Sequence, residues 1–315
     1  MDKEQTAIAR LQEAARMSER FYKNPLIVTV SGGKDSSVVL ELALRAGIDF
    51  DVMHNHTTAD APETVMFLRS EYKRLEDMGF PSERIIVNYP VYKGLRTSMW
   101  SLIPQKLMPP TRLVRYCCAI LKEQGGQGRY ITTGARWAES ERRKNSRGIY
   151  ESLNRNPETR VILNNDNDDR RRLFETCRLQ RKAVCNPIID WTDEDVWQFI
   201  EAAKIPVNPL YQCGFSRVGC IGCPLAGTKT RYREFGRWPA YKKLYILAFE
   251  RMLKERKRRG KLADTAENGA WSMGMTGADV FHWWMEDGTL PGQMMLEEYE
   301  NHPRHSDAHR SLLLL

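Results

Sequence analysis

Short apolar runs alternate with stretches of helical periodicity along the first two-thirds of the chain. Apolar runs typical of buried strands predict strands at 26–30, near 49–54, at 85–87 and at 130–132. Apolar residues at helical spacing predict helices at 3–20, at 38–46 and from Pro62 onward. Strands that alternate with helices usually form a parallel sheet with helices on both faces. The pattern therefore predicts an α/β fold with a Rossmann-like, doubly wound parallel sheet.

The pattern changes after residue 225, where the strand signals end. Apolar residues share one stripe at helical spacing there, with Arg and Lys on the opposite face: Tyr241, Leu244, Tyr245, Ala248, Phe249 and Met252. We expect this part to be helical and to pack Trp283 and Trp284 inside it. The sequence thus predicts an N-terminal helix at 1–24, an α/β domain at 25–225 and a basic helical extension at 226–315.

Composition and charge narrow the class of protein. Of the 315 residues, 42% are hydrophobic and 28% are charged, which excludes a disordered chain. No apolar run reaches the roughly 18 residues of a membrane helix, and the charged N-terminus lacks a secretory signal. We therefore expect a cytoplasmic protein without a membrane partner. Between residues 229 and 261, thirteen Lys and Arg stand against three Glu, and such a basic stretch suits a polyanionic partner.

The segment Ser31-Gly32-Gly33-Lys34-Asp35-Ser36 lies between a predicted strand and a predicted helix. Paired glycines let the backbone curl around an anion, and the helix N-terminus, the serine hydroxyls and Lys34 favour negative charge. Its spacing differs from that of a Walker A loop. The alternative is a glycine-rich turn without a ligand, but the strand–loop–helix context favours a phosphate-binding loop.

A second polar segment follows the predicted strand at 130–133, at the end of the sheet where ligands bind in such folds. It runs from Gly134 to Arg143, and Arg136 and Arg143 could each hold phosphate or sulfate oxygens through two hydrogen bonds. Glu139 could orient one of these guanidinium groups. The alternative is a solvated loop with its charges paired.

The chain has seven cysteines, and an odd number argues against a disulfide framework. Candidate ligands for a soft metal centre are Cys117, Cys118, Cys213, Cys220 and Cys223. Four thiolates at one site would bind zinc or an iron–sulfur cluster, and the residues alone leave both open. A redox pair at Cys220 and Cys223 and a purely structural thiol pair are further alternatives. Cys177 and Cys185 are interpreted as buried thiols, with a persulfide-carrying role as the alternative.

Three segments together resemble the PP-loop ATP pyrophosphatases, the adenine nucleotide α-hydrolase-like superfamily that includes sulfonucleotide (APS and PAPS) reductases and several thiolation enzymes. The loop at 31–36 resembles the family's PP-motif, and 134–140 resembles its Gly-x-Arg-x-x-Glu-Ser segment. The segment at 56–64 resembles the family's second motif, although His56 stands where the family usually has Asp.

This resemblance implies that the chain binds ATP with Mg²⁺ and cleaves it between the α and β phosphates. The residues implied to bind ATP are Ser31, Gly32, Gly33, Lys34, Asp35, Ser36, Thr57, Gly134 and Arg136. Those implied to take part in catalysis are Lys34, Asp35, Arg136 and Arg143.

The cysteine pattern carries a further resemblance. Cys117-Cys118 with Cys220-Ile221-Gly222-Cys223 is similar to the cysteine pattern of assimilatory APS reductases. The run from Cys213 to Cys220 is similar to one in the ATPase/sulfurtransferase subunit of DNA phosphorothioation systems. Both imply a [4Fe–4S] cluster, with Cys118 and Cys213 competing for one ligand position.

The resemblance and the basic stretch at 229–261 imply an ATP pyrophosphatase that adenylates an acceptor for sulfur insertion. The acceptor implied first is the DNA backbone, with tRNA second, and a cysteine desulfurase is the implied sulfur donor. One alternative is a sulfonucleotide reductase, whose nucleophilic cysteine near the C-terminus has no counterpart after Cys223 in these 315 residues. Others are a tRNA thiolase and a nucleotide-sensing, DNA-binding regulator without turnover.

Overall fold

The structure is a computed structural model that describes residues 2–152, 161–163, 183–262 and 271–286. It divides into two compact units, the first formed by residues 1–96 and 118–220 and the second by residues 97–117 and 221–315. Cys177 and the polar stretch at 164–169 lie outside the described residues. Within the described ranges, no helix combines the length and the apolar content that crossing a bilayer requires.

The first unit is built on a seven-stranded sheet in the order β3-β2-β1-β6-β9-β7-β8. The strands are β1 Leu26–Thr29, β2 Phe50–Asn55, β3 Ile85–Asn88, β6 Tyr130–Thr132, β7 Tyr150–Ser152, β8 Val161–Leu163 and β9 Ala183–Cys185, and β4 Val91–Tyr92 pairs with β5 Leu95–Arg96 in a separate hairpin. Strands β3, β2, β1, β6 and β9 run parallel, while β7 and β8 pair antiparallel at one edge. The mostly parallel sheet predicted from the sequence is confirmed. The antiparallel edge was not predicted.

Among its described residues, the first unit has five α-helices: α1 Lys3–Met17, α2 Lys34–Arg45, α3 Pro62–Asp77, α5 Glu141–Ser146 and α6 Asp193–Ala202. The apolar faces of α1 and α2 bury Leu11, Val38 and Leu42 completely, together with residues of β1 and β2. Helix α2 begins four residues before the predicted start at 38. Gly33 is extended at the N-cap, and the Ser36 hydroxyl donates to the Gly33 carbonyl at 2.8 Å, so polar residues stabilise the first turn.

The described residues of the second unit form helices, which were predicted after residue 225 but not at 99–106. Its helices are α4 Met99–Lys106, α7 Thr228–Arg237, α8 Pro239–Arg258 and α9 Gly277–Glu286. Trp284 is buried, and its ring centroid lies 4.6 Å from that of Tyr245 on α8. The Arg231 guanidinium lies 4.1 Å from the Trp284 ring centroid, and Trp283 packs edge-on against Trp271. The predicted packing of both tryptophans is confirmed.

Candidate functional site

A cleft of about 1440 Å³ opens in the first unit at the carboxyl ends of the parallel strands. Residues that follow β1, β2 and β6 line it, among them Ser31, Thr57 and Gly134. In open α/β sheets, ligands bind in the crevice outside the carboxyl ends of the strands. The cleft therefore brings together the glycine-serine loop at 31–36 and the segment at 134–143, which the sequence singled out separately.

The loop at 31–36 connects β1 directly to the N-terminus of α2. Gly32 has φ +76°, and a Cβ at this position would lie 2.7 Å from the Thr64 methyl group, so both conformation and space require glycine. The Ser31 amide donates to the Ser36 hydroxyl at 3.1 Å. The loop thus presents the first turn of α2 to the cleft, where backbone N–H groups and the helix dipole favour an anion.

The segment after β6 lies directly against the start of α2. A Cβ on Gly134 would be 2.8 Å from the carbonyl carbon of Asp35, so only glycine permits this approach. Arg136 is 1% exposed, and its guanidinium donates to the carboxylates of Asp35 and Asp193, each at 2.7 Å. The Lys34 ammonium lies 3.0 Å from the same Asp193 oxygen. Lys34 and Arg136 are therefore held in a paired network, and their predicted contact with a phosphate stays a prediction.

Arg143 and Arg217 are further cations in the cleft lining. Glu139 forms an ion pair with Arg143 and accepts a hydrogen bond from the Arg136 amide at 3.1 Å, so it orients Arg143 as predicted. Burial, followed by the neighbouring Arg217, lowers the pKa of the Arg143 guanidinium below its ordinary value. An anion near both guanidinium groups would offset their mutual repulsion. The sequence pattern did not predict a role for Arg217, which lies in the run from Cys213 to Cys220.

Two residues that brace the loop were not predicted. Asn208 is 1% exposed, and its amide nitrogen donates to the Gly32 carbonyl at 3.2 Å and to the Thr64 hydroxyl at 3.0 Å. The Tyr211 hydroxyl accepts a hydrogen bond from the Lys34 amide at 2.9 Å. Burial raises the pKa of Tyr211 to about 12, so the hydroxyl keeps its proton near neutral pH. Both residues lie about 175 positions from the loop, where no local pattern could connect them to it.

Thr57 lines the cleft, although it is only 3% exposed. Its amide donates to the Asp60 carboxylate at 2.9 Å, and the Cys220 thiol donates to its hydroxyl at 3.3 Å. Asp60 and Cys220 also form an isolated antiparallel bridge. His54 lines the cleft nearby, and burial lowers its pKa, so its imidazole is neutral at pH 7.

The candidate cluster ligands belong to both units: Cys118, Cys213 and Cys220 to the first, Cys117 and Cys223 to the second. Cys185 is buried in the core of the first unit, in accord with its interpretation as a buried thiol. Gly222, between Cys220 and Cys223, has φ +70°, and a Cβ there would lie 2.5 Å from the Phe235 ring. The [4Fe–4S] cluster, which needs four thiolates, stays a prediction. Which four would bind it stays open.

Comparisons with known proteins identify the family of this chain. Residues 25–226 match the family described as the phosphoadenosine phosphosulfate reductase domain. An uncharacterised protein of Methanocaldococcus jannaschii is 28% identical over 212 residues, which are 64% of this chain but only 36% of that protein. The chain thus spans little more than a third of that relative's length.

Two further similar proteins are named as reductases. The adenosine 5'-phosphosulfate reductase of Bacillus cereus is 26% identical over 222 residues, which cover 69% of this chain and 80% of that enzyme. The crystal structure of phosphoadenylyl-sulfate reductase from Candida auris, a phosphate complex, is 16% identical with a TM-score of 0.41. That similarity covers 67% of this chain and 87% of the other.

Proposed function

Because this chain belongs to the phosphoadenosine phosphosulfate reductase domain family, we propose that it is a nucleotide-dependent enzyme of sulfur metabolism. Specifically, we propose that it binds ATP in the cleft, cleaves it to AMP and pyrophosphate, and thereby activates an acceptor for sulfur insertion.

One observation carries this proposal: the glycine-serine loop and the guanidinium groups of Arg143 and Arg217 line the same cleft. The loop supplies backbone donors at the N-terminus of α2 for one part of a polyphosphate. The two arginines supply charge for another part, with Arg143 oriented by Glu139 and close enough to Arg217 for the two charges to repel. A cleft of about 1440 Å³ is large enough for a nucleotide together with part of an acceptor.

In the proposed reaction, an acceptor oxygen attacks the α-phosphorus of ATP, and the bond to the bridging oxygen of pyrophosphate breaks. A sulfur nucleophile then displaces AMP from the acceptor. Mg²⁺ enters as part of the Mg·ATP substrate. Arg143 and Arg217 would stabilise charge on the departing pyrophosphate, and Arg136 would position Asp35 and Asp193, with which it forms ion pairs.

The acceptor and the source of sulfur are also proposals. The basic stretch at 229–261 supports a nucleic acid, with the DNA backbone preferred over tRNA. A cysteine desulfurase would donate the sulfur. Four of Cys117, Cys118, Cys213, Cys220 and Cys223 would hold the [4Fe–4S] cluster, which when bound supplies iron that can hold sulfur.

The test is product analysis after anaerobic incubation of the full chain with ATP, Mg²⁺, duplex DNA and sulfide as the sulfur nucleophile. We expect AMP and pyrophosphate in equal amounts. Arg143→Ala and Arg217→Ala should each lower kcat/KM by roughly 100-fold, the loss usual for one transition-state donor. Lys73→Ala, at an exposed position on α3, should leave the rate unchanged.

Absence of AMP and pyrophosphate from folded, iron-loaded protein would contradict the activation chemistry. Stimulation by tRNA instead of duplex DNA would change the acceptor and leave that chemistry intact.

A second candidate is reduction of adenosine 5'-phosphosulfate, which the name of the Bacillus cereus relative favours. The same cleft could hold the adenylyl phosphate and sulfate groups. With this substrate and a thiol reductant, the second candidate predicts sulfite and AMP, the sulfur gaining two electrons from the thiol. Sulfite formation without any pyrophosphate from ATP would make this candidate the function.

A further inference from the structure

Two histidines and an aspartate gather where β2 ends. His54 lies in β2, and His56 and Asp60 lie in the segment that follows it. One ligand atom from each of the three side chains lies within 4.8 Å of the other two. The proposed cleavage of ATP uses none of these side chains.

His54 is held in an orientation that suits a metal ligand. It is 6% exposed, and its Nδ1 lies 3.0 Å from the carbonyl oxygen of Val30, the residue immediately before the glycine-serine loop. A carbonyl oxygen can only accept, so Nδ1 carries the proton and Nε2 carries the lone pair. Histidines that bind metals usually donate their second nitrogen to such a carbonyl, which fixes the ring and the tautomer.

His56 and Asp60 are held by different contacts. The His56 amide donates to the Asn88 carbonyl at the end of β3 at 2.9 Å, and its ring packs edge-on against Tyr89. Its Nδ1 lies 3.7 Å from the Asp60 carboxylate, too far for a hydrogen bond. Asp60 is 8% exposed and is fixed by the Thr57 amide. Three polar side chains thus converge on one point from three differently anchored positions.

We propose that His54, His56 and Asp60 bind a divalent transition-metal ion of borderline softness, such as Zn²⁺, Fe²⁺ or Co²⁺. Two imidazole nitrogens and one carboxylate form a common three-residue ligand set for such ions, whereas Mg²⁺ prefers oxygen ligands alone. Bonds of about 2.0–2.2 Å to one ion require only a small inward movement of the three side chains. His54 and Asp60 line the cleft, so the remaining coordination positions face the ligand that the cleft holds. This inference does not depend on the proposed function.

The test is an anaerobic Co²⁺ titration of the full chain, followed by visible absorption. A site of two histidines and one aspartate gives weak ligand-field bands without the intense near-ultraviolet sulfur-to-cobalt transition of thiolate ligands. We expect one equivalent to bind with that spectrum, and any Co²⁺ bound by the cysteines to be distinguished by its intense sulfur-to-cobalt transition. His56→Ala, at a partly exposed side chain, should weaken binding at least about tenfold, since even loss of a supporting partner costs 10–100-fold.

Two further variants complete the test. Asp60→Asn should also weaken Co²⁺ binding, and His282→Ala, which removes a mostly exposed histidine on α9, should leave it unchanged. Circular dichroism of each variant shows whether it is folded. Lack of the ligand-field spectrum in folded wild-type protein would overturn the proposal, and so would equal Co²⁺ affinity of the wild type and a folded His56→Ala variant.

Discussion

Arg136 shows how one buried cation organises this site. Its guanidinium reaches across 101 positions to Asp35 and across 57 to Asp193, and it also donates to the Trp191 carbonyl at 3.2 Å. A buried charge is costly unless its hydrogen bonds are satisfied, and the planar fork of arginine satisfies several acceptors at fixed angles. Arg136 therefore links the start of α2 to the start of α6.

We expect Arg136→Lys to destabilise the first unit, because an ammonium keeps the charge but cannot reach all three acceptors. The free energy of unfolding should fall by about 2 kcal/mol, the usual loss for a hydrogen bond to a charged group. Urea denaturation measures this change. Arg45→Lys, a more exposed arginine paired with Glu4 and Glu41, is the control and should cost well under ~1 kcal/mol. Equal losses in the two variants would contradict the role assigned to Arg136.

The same network makes the site sensitive to acid. The hydrogen bond from Lys34 is the largest effect that holds the pKa of Asp193 below its ordinary value, and Arg136 adds to it. A carboxylate with a lowered pKa stabilises the folded state above its unfolded pKa of about 3.9 and loses this contribution as the pH falls through the folded value. Asp193 therefore contributes stability at neutral pH that is lost in acid.

Asp193→Asn should be less stable than the wild type at pH 7, and the difference should shrink as the pH falls below about 4. Asn has no carboxyl group to protonate, so the variant lacks this part of the pH dependence. Chemical denaturation across this range measures both curves. A difference in unfolding free energy that stays constant down to about pH 3 would show that Asp193 is not coupled to Lys34 and Arg136.

Among the elements of the second unit, the turn at Gly222 packs tightly against the helices. Its φ of +70° is unfavourable for other residues, and a Cβ would meet the buried rings of Phe235, Tyr245 and Trp284 at 2.5–3.1 Å. Because these rings pack against one another, none can move aside without disturbing the next.

We expect Gly222→Ala to lower the free energy of unfolding of the second unit by about 2–5 kcal/mol, from backbone strain and overpacking together. Gly260→Ala is a matched control, because Gly260 has φ +61° with no atom within 4 Å of an added Cβ. It should cost only the strain, ~1–2 kcal/mol. Thermal unfolding of the two variants separates the contributions, and similar losses would refute the packing argument.

The elements that could be predicted are those whose signal is local. The order strand, glycine-serine loop and helix at 26–45 lies in one stretch of sequence, and the structure confirms it. Strand β9 pairs with β6 inside the sheet but was not predicted, because Val184 is the only β-branched residue among its three and the strand signal is weak.

The supporting residues of the site could not be predicted for a different reason. Asn208 and Asp193 act on a loop more than 150 positions earlier in the chain, and only the folded sheet brings them to it. Thr192 caps the start of α6 by accepting a hydrogen bond from the Asp195 amide, a local contact, whereas the role of the next residue, Asp193, depends on tertiary contacts.

For the molecule as a whole, a strongly basic surface lies on the second unit. Eleven of the thirteen Lys and Arg between 229 and 261 are exposed, and all of them belong to the second unit. On α8, Lys243, Lys254 and Lys257 are exposed and lie within a narrow sector at helical spacing. Cations on one helix face can contact successive phosphates of a nucleic acid without reading its bases.

Replacing these three lysines by Gln together should weaken binding to duplex DNA in the same way for every sequence. Each lost phosphate contact should also reduce the steepness of log K against log salt by about 0.9. Fluorescence anisotropy over a series of salt concentrations measures both quantities. The control replaces Lys23, Lys73 and Lys93, exposed residues of the first unit, and removes the same charge. If the control reduces the slope equally, net charge and not the α8 face governs binding, and the basic stretch loses its proposed role as the DNA contact.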